Sequence, residues 1–133
     1  MTVEISRSLL DRIRACAAAD QAEICGLLFG DGSRITAATP AVNVATDPAR
    51  HFEIDPATLI AAHRAARSGG PAIVGHYHSH PGGAATPSAV DAASAQPDGG
   101  WWLIVGGKDA RLGVARSVEQ GSVAFEEAQL VIR

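Results

Sequence analysis

The chain contains 133 residues, of which 47% are hydrophobic, and carries a formal net charge of −3. This length predicts a single domain, spanning residues 1–133, with enough apolar residues for an ordinary core. The sequence has no lysine or arginine cluster. This argues against nucleic acid as the main partner, since nucleic-acid surfaces need concentrated positive charge.

No apolar stretch approaches the roughly 20 residues that a membrane-spanning helix needs. Residues 1–5 lack the basic and apolar segments of a signal peptide. The two cysteines, Cys16 and Cys25, have no CxxC spacing, which predicts unpaired, buried thiols in a reducing compartment. We therefore expect a cytoplasmic protein with no membrane partner.

Helical and extended patterns alternate along the chain. Ser6 suits the N-cap of a helix that runs to about Ala18. Asp55 and Pro56 suit the start of a second helix, which a Gly-Gly pair at 69–70 would end. Apolar runs bounded by turn residues predict strands at 22–30, 35–39, 42–44, 51–54, 101–105, 112–117 and 123–127, and a buried strand that begins at 72–75. This order predicts an α+β domain with a mixed or mostly antiparallel sheet flanked by helices.

Three histidines alternate with other residues in the segment His76-Tyr77-His78-Ser79-His80, which continues a predicted buried strand. Because strand side chains alternate between faces, we expect the three imidazoles to point the same way. A lone histidine in an apolar strand is usually just a satisfied polar group. Two imidazoles side by side have little packing value, so the pair favours a metal site.

A short helix is predicted to follow, with Thr86 as N-cap and Pro87 as its first residue. On that helix Ser88 and Asp91 would share a face. Paired imidazoles with a nearby carboxylate suit a divalent metal, and a catalytic zinc takes three protein ligands and one water. Cupin-type proteins also use His-x-His, but residues 81–85 lack the glutamate they need.

The pattern His78-Ser79-His80-Pro81, a seven-residue spacer and Ser88-x-x-Asp91 resembles the motif of the JAMM (MPN+) zinc metalloproteases. The segment Glu23-x-Cys25-Gly26-Leu27-Leu28-x-Gly30 is similar to an upstream motif of that family. Asn43 and residues 52–56 resemble its middle region. The resemblance covers most of the chain. It implies the α+β MPN fold, with a cytidine-deaminase-like architecture, in its compact stand-alone prokaryotic form.

The resemblance also implies a role for each matching residue. His78, His80 and Asp91 would bind Zn²⁺, Glu23 would act as the general acid/base, and Ser88 would stabilise an oxyanion. These roles are chemically consistent, because zinc activates water, a carboxylate moves the proton, and a hydroxyl can donate to developing negative charge.

Two residues beside this motif have more than one interpretation. His76 stands where relatives often carry a bulky residue; it would line the substrate groove or close the site as a further ligand, and we favour the groove. Cys25 would be a packing residue or a fourth ligand, and we favour packing.

The resemblance implies a peptidase or isopeptidase that cleaves after the C-terminal glycine of a ubiquitin-like or sulfur-carrier protein, whose tail would bind as an added strand. Two alternatives stay open: a non-enzymatic MPN-type scaffold, and a hydrolase of small peptide amides. The tandem Trp101-Trp102 predicts one buried and one exposed ring, the exposed ring lying at an interface. A homodimer is a further expectation.

Overall fold

The computed structural model describes residues 1–118 and 121–133, which form seven strands and three helices. The strands are β1 (Thr2–Ile5), β2 (Cys25–Gly30), β3 (Arg34–Ala41), β4 (Ile73–Ser79), β5 (Trp101–Gly106), β6 (Asp109–Ser117) and β7 (Val123–Ile132). The helices are α1 (Arg7–Ala18), α2 (Pro56–Arg67) and α3 (Ala89–Ser94). Within these described residues, no helix has the length and apolar character needed to span a membrane.

The strands close into one barrel-like sheet in the order β1-β3-β2-β4-β5-β6-β7. Strand β1 runs parallel to both of its neighbours, and β4 runs parallel to β5. The remaining pairs are antiparallel. The sheet is therefore mixed, and together with the helices it confirms the predicted α+β class.

The larger hydrophobic core joins α1 to one face of the sheet. Leu9, Leu10 and Ile13 are the buried residues of α1, and their three- and four-residue spacing turns them toward the same side of the helix. They belong to one buried cluster with Tyr77 of β4 and Leu103 of β5. The alternation of side chains along β4 therefore leaves its histidines on the other face.

Strands β4 and β5 approach each other closely at Gly75. A Cβ atom at this position would collide with the backbone of Trp101, so only glycine fits here without moving the neighbouring strand. The resulting register places His76 beside Trp102 and His78 beside Ile104. The glycine thus helps to determine which residues surround the histidines.

Two of the three predicted helix starts are confirmed. The Ser6 Oγ accepts a hydrogen bond from the Leu9 N–H at 3.1 Å, and Asp55 caps α2 with Pro56 in its first turn. The start of α3 was predicted wrongly, because its N-cap is Ser88 and not Thr86. A capping box needs a reciprocating side chain three residues after the cap, and Thr86 has Ala89 there.

The strand predictions differ from the structure at the two ends of the chain and in the segment between β3 and α2. The short strand β1 was not predicted, and β7 continues to Ile132 beyond the predicted end at residue 127. Their pairing joins opposite ends of the chain, since Thr2 lies beside Gln129. The predicted strands at 42–44 and 51–54 are both wrong, because in these two segments Asn43 and Ile54 form just an isolated bridge to each other.

Two predictions about individual side chains are also wrong. Trp101 and Trp102 are both buried, because α1 and its core cover one face of β5 while Phe52 and Phe125 pack against the other. Neither ring is therefore the exposed one expected at an interface. Cys16 is exposed on α1, whereas Cys25 is buried as expected.

Candidate active site

The two predicted histidine ligands meet at the end of β4. His78 is fully buried within the strand, and His80 follows the last strand residue, Ser79. Two-residue alternation puts both rings on the same face, and their Nε2 atoms lie 3.1 Å apart. The predicted shared orientation is thus observed, with the two nitrogens close enough to serve one ion.

Asp91 reaches both histidines from α3. Its Oδ2 lies 3.1 Å from the Nε2 of His78 and 3.1 Å from the Nε2 of His80. The capping box holds the carboxylate there: the Ser88 N–H donates to Oδ2 at 2.9 Å, and the Asp91 N–H donates to the Ser88 Oγ at 3.0 Å. Local helix-start chemistry therefore orients the third predicted ligand.

The protonation pattern of this triangle leaves room for a cation. The Nδ1 of His80 lies 2.8 Å from the Ala84 carbonyl oxygen, which can only accept, so Nδ1 carries the proton. When His80 is protonated, its Nε2–H donates to the Asp91 carboxylate; when His80 is neutral, Nε2 instead turns a lone pair toward that carboxylate. Two electron-pair donors 3.1 Å apart repel unless a proton or a metal ion lies between them. The donor set therefore fits a bound metal.

Glu23 lies beside the histidines, two residues before the start of β2. Its carboxylate is buried, and Oε1 has no hydrogen-bond partner among the described residues. Burial raises the pKa of Glu23 to about 7, although the charge of His80 opposes this shift. Glu23, His78 and His80 each offer one ligand atom within 4.8 Å of the others, so this group could also bind a metal ion.

The backbone of Glu23 is held in place by the loop between β3 and α2. Its N–H donates to the Pro48 carbonyl at 2.8 Å. Its carbonyl oxygen accepts from the Asn43 side-chain amide at 2.9 Å. Next in the chain, the Ile24 N–H donates to the Ser79 Oγ at 2.9 Å, which ties this segment to the histidine strand. These bonds bring Glu23 to residues more than fifty positions away in the sequence.

The surroundings shift the pKa values of the three predicted ligands in different directions. Burial lowers the pKa of His78, while the Asp91 hydrogen bond raises the pKa of His80. Burial would raise the pKa of Asp91, but hydrogen bonds from both histidines hold that pKa well below its usual range. Asp91 is therefore an anion at neutral pH, as a ligand carboxylate must be.

A cavity of about 420 Å³ opens onto these groups. Its walls include Glu23, His80 and Ser88, and Arg50 supplies a basic side chain at its edge. The Ser88 Oγ accepts the Asp91 N–H, so its own hydroxyl hydrogen remains available to a bound molecule. The acid/base candidate and a hydroxyl donor thus line the same opening.

The structure bears on the open questions about His76 and Cys25. His76 shares the histidine face and lines a separate cavity of about 700 Å³, whose described lining contains none of the candidate ligands or acid/base residues. The groove-lining role of His76 therefore stays a prediction. Burial lowers the pKa of His76 to about 3, so it stays neutral. Cys25 directs its Sγ toward the Ala41 carbonyl at 3.8 Å, and burial raises the pKa of its thiol to about 11. A protonated thiol with this orientation is a packing group.

Sequence reasoning missed how Asn43 and Phe52 support the site. The Asn43 amide also donates to the His51 carbonyl, and its Oδ1 accepts from the Ala45 and Glu53 N–H groups. The Phe52 ring stacks on His78 with centroids 4.1 Å apart. Both residues belong to the family-like region of the sequence, but spacing along the chain gives no signal for such contacts.

Residues 6–119 match a family described as prokaryotic homologs of the JAB domain. The chain belongs to this family. A desampylase from Haloferax volcanii is 42% identical to it over 100 residues, which cover 73% of this chain and 72% of that protein. The predicted relationship to the JAB/MPN proteins is therefore confirmed.

Solved structures agree with this assignment. A solution structure from Desulfitobacterium hafniense matches with a TM-score of 0.81 and 25% identity over 99% of this chain and 93% of its own. A second, from Salinibacter ruber, matches with a TM-score of 0.60 and 28% identity, covering 97% and 92%. A JAB1/MPN domain protein from Archaeoglobus fulgidus, at 21% identity and a TM-score of 0.55 over 98% of each chain, supports the fold alone.

Proposed function

We propose that this JAB-domain protein is a zinc-dependent peptidase or isopeptidase, which cleaves after the C-terminal glycine of a ubiquitin-like or sulfur-carrier protein. The observation that carries the proposal is the convergence of the His78 and His80 Nε2 atoms with the Asp91 Oδ2, each 3.1 Å from the other two. Two imidazoles and a carboxylate form a ligand set that suits catalytic zinc and leaves a fourth position open. Bound there, zinc would supply Lewis-acid activation of a water and of the scissile carbonyl.

Glu23 and Asp91 are both carboxylates near the histidines, and their environments favour different roles. Asp91 is held as an anion by its hydrogen bonds, which suits a ligand. The pKa of Glu23, about 7, allows its carboxyl group to take up and release a proton near neutrality. We assign Glu23 to take the proton of the attacking water and to deliver it to the leaving amine.

Ser88 is assigned to the oxyanion. Its Oγ accepts the backbone hydrogen bond that caps α3, which fixes the direction of the hydroxyl. The hydroxyl hydrogen can then be donated to negative charge that develops on the carbonyl oxygen. The hydroxyl already lies in the wall of the 420 Å³ cavity, so it needs no large movement to reach a substrate there.

The substrate class is proposed from the family and from one relative. The Haloferax volcanii protein is named a desampylase, a name that denotes removal of a ubiquitin-like protein modifier. We propose that the present chain acts on the same class of bond. A glycine-rich tail fits this site, because glycine residues let an extended backbone approach polar groups closely. Sulfur-carrier proteins with such a tail belong to the same proposal.

The first experiment measures zinc per chain in the purified protein and in His78→Ala. We expect one zinc in the wild type and none in the variant. Glu23→Gln is the matched variant, because it should keep zinc and lose hydrolysis of a ubiquitin-like fusion joined through its terminal glycine. A wild-type protein that takes up no zinc would support the scaffold alternative. Equal cleavage of short peptides without the modifier would support the small-amide alternative.

A further inference from the structure

The two histidines of the candidate site are held in different ways. His80 is oriented by a hydrogen bond from Nδ1 to the Ala84 carbonyl. The Nδ1 of His78 is buried and has no hydrogen-bond partner in the part of the chain that the structure describes. Histidines that bind a metal almost always use their second nitrogen in a hydrogen bond that fixes the ring. His78 therefore lacks the usual device, and something else must orient it.

Aromatic contacts surround the His78 ring instead. The Phe52 ring lies nearly parallel to it, with an interplanar angle of 18° and a centroid distance of 4.1 Å. The indole of Trp102 meets it edge-on at 5.7 Å and 83°. A ring stacked on one side and met by an edge on another cannot turn about its Cβ–Cγ bond without displacing a neighbour. Packing thus restricts the rotation that a hydrogen bond would otherwise restrict.

Phe52 is itself held by bonds on both sides of it in the chain. The Asn43 amide donates to the His51 carbonyl at 2.9 Å, and the Asn43 Oδ1 accepts from the Glu53 N–H at 3.1 Å. The Val44 N–H donates to the Glu53 carbonyl at 2.9 Å. The backbone that carries the Phe52 ring is therefore fixed relative to the sheet, although it forms no strand.

We propose that Phe52 is a positioning residue, whose stacked ring takes the place of the missing hydrogen bond and keeps the His78 Nε2 directed at the metal position. The inference rests on the proposed function, since it assumes that His78 binds the metal. It goes further by assigning a role to a residue outside the ligand and acid/base set. In the metal-free protein the same contact should hold the His78 ring in one orientation before any ion arrives.

The test compares Phe52→Leu with Phe125→Leu. Leucine keeps apolar cover but removes the flat ring. Phe125 is a matched control because it packs against the same small cluster, with its ring centroid 4.9 Å from that of Trp102. Zinc affinity is measured by competition with a chromophoric chelator. We expect Phe52→Leu to weaken zinc binding by about 10-fold or more, as losses of outer-shell support do. Phe125→Leu should leave the affinity close to that of the wild type, and Phe52→Tyr should restore it.

A second measurement uses metal-free wild-type protein, so that it does not depend on how the variants fold. Imidazole NMR should show a single, narrow set of His78 ring resonances with cross-peaks to the Phe52 ring. Averaged His78 signals without those cross-peaks would overturn the inference. So would equal zinc affinity in Phe52→Leu and the wild type, or an equal loss in Phe125→Leu. A wild-type protein that binds no zinc would instead refute the proposed function, while the NMR result would still decide the orientation of His78.

Discussion

The two faces of strands β4 and β5 differ in composition: one is apolar, and the other carries histidines of the candidate site. On the face toward α1, Tyr77, Trp101 and Leu103 belong to the large apolar cluster. On the opposite face, Trp102 belongs to a small cluster with Phe52, next to His76 and His78. Neighbouring residues of one strand therefore serve stability on one side and the candidate site on the other, because side chains alternate.

Unsatisfied polar atoms are concentrated on the second face. Of the four buried side-chain atoms without a hydrogen-bond partner in the described residues, three belong to Glu23, His76 and His78. A buried polar atom without a partner costs on the order of 1–3 kcal/mol of folding free energy. The face with the candidate site thus lowers the folding free energy that stabilises the protein, and apolar burial on the other face has to compensate for this. Unpaired buried polar atoms are common where a site is arranged for binding or catalysis and not for folding.

The largest expected effect is on the site face. Asp91→Ala removes the carboxylate that touches both histidines, so we expect loss of bound zinc and of activity. The free energy of unfolding of the metal-free protein should fall by only about 1 kcal/mol, through the loss of the reciprocating carboxylate of the capping box. Elemental analysis and urea denaturation measure the two effects. Ser94→Ala is the control, since its exposed hydroxyl only donates to the Val90 carbonyl within α3. Tight zinc binding by Asp91→Ala would refute the ligand assignment.

A substitution on the core face should have the opposite effects, a large loss of stability and no loss of bound zinc. Leu103 is fully buried in the large cluster, so Leu103→Ala should lower the free energy of unfolding by about 2–5 kcal/mol. The folded fraction should still bind one zinc, because the opposite face is not touched. Urea titration followed by elemental analysis checks both points, with the exposed Val90→Ala as control. If Leu103→Ala lost bound zinc in proportion to its loss of stability, the two faces would not act independently.

A smaller effect is expected for the hydroxyl in the cavity wall. Ser88→Ala should keep zinc and slow the turnover by about 100-fold, because one donor to the oxyanion is lost. Ser88→Thr keeps a hydroxyl and can still cap α3, so it separates the donor role from the capping role. The kcat of each zinc-loaded variant is the measurement. Full activity of Ser88→Ala would remove Ser88 from the mechanism and leave it as a helix cap.

Most of the candidate site could be predicted because its signals are local. Alternation along β4 places His78 and His80 together, and a three-residue spacing places Ser88 beside Asp91. The error at the start of α3 was also local, since both Thr86 and Ser88 are good N-caps. The reciprocating carboxylate of Asp91 decides between them. Glu23 could be connected to these residues only by its resemblance to a family motif.

The sequence by itself determined the helix caps, the alternation of the histidines and the α+β class, because each depends on residues a few positions apart. Only the tertiary structure decided how β1 closes the sheet between β3 and β7, since those strands come from distant parts of the chain. It also decided that both tryptophans are buried and that Phe52 stacks on His78. Contacts of this kind depend on the packing of whole faces, and no local pattern records which side chains will meet.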